Sequence, residues 1–204
     1  MLATFLQENV WFDLLLWLAV YAGDYYLTIY QAGLLQRLQA RAQGEPGSVG
    51  ELELNPYFQA DVGRQRKFSP RWLLMAALTA LILFLTWWLA VASLGLPGFF
   101  WLVLGMMFLL EAPIHIRHLT NIALFHQLLR GEGSGRIETS RKASLLTSAS
   151  QLAGFTLLFV FCYLLTTHLF FLGGALTCAS LSANHALRGA RLRARTAANS
   201  LLHH

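Results

Sequence analysis

The chain has 204 residues, with 15 Lys and Arg against 10 Asp and Glu, a formal net charge of +5. Of these residues 56% are hydrophobic and only 12% charged, about half the charged share of an ordinary soluble domain, which excludes a normal soluble enzyme. No Asp, Glu, Lys or Arg occurs from Trp72 to Leu110 or from Ala143 to Leu187. Each run has the length of two membrane helices of about 20 residues.

In chain order, the first ten residues carry Glu8 and no Lys or Arg. They lack the basic start of a cleaved signal peptide, so the first apolar segment is expected to stay. That segment, about residues 11–35, holds Asp13 and Asp24 and passes into Arg37 and Arg41. The stretch 41–71 is rich in Gly, Pro and Glu and reads as a water-exposed loop. A second span covers about 72–93, a Gly95-Leu96-Pro97-Gly98 turn follows, and a third span covers about 99–124. The Gly131–Gly135 segment reads as a flexible linker. The last apolar run divides into spans at about 144–165 and 169–187, around Thr166-Thr167-His168.

The count of five rests on charge. Arg37 to Arg71, Arg130 to Lys142 and Arg188 to Arg195 all fall on one side if there are five spans, while the other side has no Lys or Arg. The positive-inside rule therefore predicts an all-α, polytopic bundle with the N-terminus out and the C-terminus in. Trp11, Trp87, Trp88 and Trp101 near the outer ends and Trp72 near an inner end agree with it. The expected location is a cell membrane, of the prokaryotic inner-membrane kind. Cys162 and Cys178 lie in apolar runs and read as small hydrophobes.

Polar groups inside spans cost about 2.5–3.5 kcal/mol when charged, so they usually face the bundle interior or a wet cavity. Asp13, Asp24 and Gln31 share one helical stripe with Thr28 beside it, and Glu111, His115, His118 and His126 share another. Pro113 cannot donate to the carbonyl of Leu109 and predicts a kink. Arg117 points away from the histidine arc and is expected to snorkel to the headgroups. Asn184 and His185 stand at similar depth in the fifth span. In the first loop, Glu53 and Asn55 are placed to fold back beneath the same region. The pattern predicts one polar cavity in the cytoplasmic half, built from Asp24, Thr28, Glu53, Asn55, Glu111, His115, His118, Asn184 and His185.

An Asp in the first span followed by Glu-x-Asn-Pro, here Asp24 and Glu53-Leu54-Asn55-Pro56, resembles small uncharacterised prokaryotic multispanning membrane proteins. The resemblance covers the first quarter of the chain and implies no catalytic residue.

Three chemistries compete for such a cavity. A path or binding site for a proton, cation or small solute requires the fewest assumptions. A zinc or other divalent-metal site on Glu111, His115, His118 and His185 would support intramembrane hydrolysis. A haem held between His185 and His115 or His118 is the third. A non-enzyme is favoured, because no His-Glu-x-x-His box, phosphate-binding loop, Gly-x-Ser-x-Gly elbow or Cys-x-x-Cys site is present. The Arg-rich tail is expected to meet anionic lipid and not nucleic acid. The small residues Gly174, Cys178 and Ser182 suggest a face for a homo-oligomer.

Overall fold

The computed structural model describes residues 9–41, 57–132 and 141–201. Among them the chain is all-α, with no strand. Helix α1 is Val10–Arg41, α2 the single turn Gln59–Gly63, α3 Pro70–Trp87, α4 Pro97–Arg130, α5 Arg141–Thr166 and α6 Leu169–Leu201. A π-helical turn, Trp88–Ser93, continues α3.

The helix ends follow from local chemistry. Ser69 caps α3, its hydroxyl oxygen accepting from the Trp72 N–H, and Pro70 supplies the fixed φ of a first helical position. Gly131 closes α4 with φ 79°, a left-handed value that glycine adopts without strain. Between α5 and α6, Thr167 takes φ 54°. The Nδ1 of His168 accepts from the Phe170 N–H and so caps α6. Helix α4 runs without interruption through Pro113.

Side-chain pairs set the directions. Trp11 meets Phe84, the Trp17 indole donates to Thr79 at 3.0 Å and Tyr25 stacks on Trp72, so α1 and α3 are antiparallel. Thr28 meets His118 and Tyr30 meets His126, while the Arg41 guanidinium donates to the Leu129 carbonyl, so α1 and α4 are parallel. Ser182 donates to the Ala149 carbonyl and His185 meets Ser148, which makes α5 and α6 an antiparallel hairpin. That hairpin packs on α4 mainly through α6. One core joins Trp17, Leu83, Ala90, Phe100 and Leu104 of α1, α3 and α4, and a second joins Leu152, Phe159, Ala175 and Cys178 of α5 and α6. The Trp101–His168 ring contact, 5.1 Å between centroids, brings the 94–96 and 167–168 turns to one end of the bundle. Arg41, Arg71, Arg130, Lys142 and Arg188 gather toward the other.

Three helical stretches are long and apolar enough to cross a membrane: Pro70–Ser93, Pro97–Arg130 and Lys142–Thr166, with mean hydropathies of 2.2, 1.8 and 1.7. They turn large apolar side chains outward, Leu157 being 72% exposed and Leu164 and Leu165 69%. A belt of this kind needs hydrocarbon around it, which is compatible with a multi-pass membrane protein.

The small residues of α6 act inside the chain. A Cβ on Gly105 would collide with the Phe170 carbonyl, and one on Gly173 with the Leu102 carbonyl. These two glycines let the backbones of α4 and α6 touch. Gly174 lies against Leu109, Cys178 is fully buried and Ser182 is bonded to α5. The stripe expected to receive a second copy is therefore filled by α4 and α5.

Candidate functional site

Helix α1 offers a buried polar stripe because residues three, four and seven apart share a helix face. Asp24, Thr28 and Gln31 have that spacing, and α4 answers with Glu111, His115 and His118 at spacings of four and three. Since the two helices are parallel, both stripes meet at the same height.

His118 is the hub. Its Nδ1 lies 2.7 Å from Gln31 Oε1, and its Nε2 lies 3.1 Å from Thr28 Oγ1 and 3.0 Å from Asp24 Oδ1. The Thr28 hydroxyl donates to the Asp24 carbonyl oxygen at 3.0 Å, which leaves its lone pairs to accept from the ring. Both ring nitrogens thus face acceptor oxygens. The Asp24 contact has ion-pair distance but not hydrogen-bond geometry, and Oδ1 finds no hydrogen-bond donor among the described residues.

About two turns earlier on α4 stands Glu111, 6% exposed, whose Oε2 also lacks a hydrogen-bond donor among the described residues. Its nearest cationic candidate is His115, with Nδ1 3.7 Å from that oxygen and 2.9 Å from the Glu111 carbonyl. The His115 ring lies over Gly23 of α1, where a Cβ would come within 3.1 Å of Nε2. Glu111 and Asp24 are close enough for their charges to interact. The cluster is not sealed, since the Asp24 and His115 side chains are 26% and 25% exposed. Toward the basic end it continues to the exposed Tyr30–His126 pair at 2.9 Å. Toward the other end it stops at the aromatic core around Trp17. Beyond that core lies Asp13, 1% exposed, with Oδ2 also lacking a donor among the described residues.

The remaining candidates do not join this cluster. His185 lies across α4, with Nδ1 3.0 Å from Ser148 Oγ, and Arg117 donates to the same oxygen at 2.8 Å. Arg117 is therefore turned into the bundle instead of out to the headgroups. Asn184 is exposed. Glu53 and Asn55 lie outside the described residues. The expected single cavity is replaced by two polar clusters on different faces of α4, because neighbours such as Arg117 and His118 point about 100° apart. The proposed metal set fails to converge for the same reason. His118 faces α1 and His185 faces α5, and no group of three His, Cys, Asp or Glu suited to a metal occurs among the described residues. His115, over Gly23 of α1, and His118 both face α1 while His185 faces α5, so neither pairing expected for a haem is brought together.

Gln31 is marked in the sequence by its spacing from Asp24, whereas Ser148 carries no signal that sets it apart from Thr147 and Ser150. Comparisons with protein family models, with curated proteins and with solved structures give no match.

Proposed function

We propose that this is a five-span protein of a cell membrane, N-terminus out, that binds and moves protons or a small cation at the Asp24–Glu111–His118 cluster. The observation that carries this reading is the imbalance of the cluster. Glu111, buried in α4, and the half-buried Asp24 of α1 each keep one buried oxygen without a hydrogen-bond donor among the described residues, and leaving such an atom unmatched in a membrane interior costs several kcal/mol when the group is charged. A proton or a small cation supplies what those oxygens lack. The imidazoles of His115 and His118 stand beside those oxygens and can both accept and donate a proton. The Tyr30–His126 pair gives a polar exit toward the basic end, and the Trp17 core closes the other side.

The five-span count draws support from the direction of the helices. With α1, α4 and α6 parallel and α3 and α5 antiparallel to them, the basic ends of all five come to one side, as a cytoplasmic face requires. A single cysteine at Arg191 should be modified by a membrane-impermeant thiol reagent only after the membrane is opened. Labelling of intact cells or sealed right-side-out vesicles contradicts the topology.

Transport itself is read in proteoliposomes carrying an internal pH dye, with an imposed potential as the driving force. Wild-type vesicles should show a proton flux well above protein-free vesicles, and a flux equal to theirs contradicts the reading.

A further inference from the structure

The second polar cluster belongs to none of this. Between α4, α5 and α6 lies a cleft of about 30 Å³ walled by Pro113, Arg117, Ser148, Gln151, Leu152 and His185. Its polar lining is basic or neutral, with no Asp or Glu among the lining residues. Ser148 is almost wholly buried and accepts from Arg117. Its own hydroxyl proton then serves Nδ1 of His185, which leaves the N–H of that ring on Nε2 as a donor in the cleft wall. The charges of Arg117 and Arg188 both act at His185. Gln151 stands exposed at the mouth and adds two N–H donors.

Depth identifies the occupant. At 1.5 Å per residue, Arg117 lies about 30 Å along α4 from Pro97, Ser148 about 27 Å along α5 from Thr166 and His185 about 24 Å along α6 from Leu169. On the five-span topology proposed above, the cleft therefore sits near the inner edge of a hydrocarbon layer about 30 Å thick, the level at which phospholipid phosphates begin. We infer that this cleft binds a phosphate group, carried by an acidic phospholipid whose acyl chains lie along the outward leucines of α5. Guanidinium, imidazole N–H and amide are the donors that phosphate oxygens take.

Native mass spectrometry tests this on the full chain in mild detergent supplemented with dioleoyl phosphatidate or dioleoyl phosphatidylcholine. Wild type should retain one phosphatidate, held about tenfold or more tightly than phosphatidylcholine. Arg117→Gln should weaken that binding about tenfold by removing a charge-assisted donor. Because Arg117→Gln also breaks a buried bond, Gln151→Glu is the companion: it is exposed, leaves the buried bonds alone and sets a carboxylate against the anion, and it should weaken binding by a similar factor. Inorganic phosphate, added without lipid, separates the sources. Saturable binding lost in Gln151→Glu keeps the phosphate chemistry and assigns the site to the free ion, whereas its failure to bind while phosphatidate does assigns it to lipid. Phosphatidate retention unchanged in both variants overturns the inference.

Discussion

Replacing His118 by leucine should lower the stability of the folded protein by about 2–4 kcal/mol in detergent. The ring links α4 to α1 through Gln31 at 2.7 Å and Thr28 at 3.1 Å, with Asp24 at 3.0 Å. Hydrogen bonds between membrane helices average about 0.6 kcal/mol and reach about 1.7, so two of them account for the lower part of the range. Breaking a fully buried ion pair costs about 3–5 kcal/mol, and the partial exposure of Asp24 discounts that considerably. Asp24→Asn removes the charge that His118 would leave stranded. The double variant should therefore be less unstable than the two single losses predict, by about 1 kcal/mol or more. Chemical unfolding of all four proteins in one detergent measures this cycle, and strict additivity means that the two residues do not meet.

A larger loss is expected at the α4–α6 crossing. Gly105→Val and Gly173→Val should each cost about 3 kcal/mol or more, because the atoms a side chain would meet are carbonyls of the facing backbone, which cannot swing aside. The helices must move apart, and the contacts along both sides of the glycines go with them. Gly105→Ala should already be harmful, by about 1–3 kcal/mol. Gly154 has open space around its Cα, so Gly154→Ala should change stability by less than about 1 kcal/mol. Unfolding midpoints of the set decide the matter, and equal effects at Gly105 and Gly154 contradict the close crossing.

The residues differ in how plainly the chain announces them. Charge-free apolar runs mark α3, α4 and α5 because nothing but hydrocarbon favours such composition over that length. The spacings of Asp24, Thr28 and Gln31 and of Glu111, His115 and His118 place each set on one stripe, since helix periodicity is a local property. Which stripe faces which helix is not local. Arg117 and His118 are adjacent in sequence yet serve different clusters, and Asn184 faces outward while His185 is buried. Those choices depend on where α1, α5 and α6 sit around α4, and the α4–α6 crossing in turn depends on Gly105 and Gly173, whose role appears only when the partner backbone is in place. The small residues of α6 show the same limit: a face that favours close packing does not say whether the partner is another helix of the chain or another copy.

The Asp24–His118 pair is the centre of the proposed path, and a comparison of proton fluxes in proteoliposomes tests it most directly. Wild type, Asp24→Asn, His118→Gln and His168→Gln are reconstituted at equal density, the last as a histidine change in the turn at the opposite end of the bundle. Asp24→Asn and His118→Gln should each reduce the flux about tenfold or more, the effect of losing one charge-assisted contact on the path, while His168→Gln keeps the wild-type rate. Equal fluxes in all four proteins contradict the assignment of proton movement to this pair.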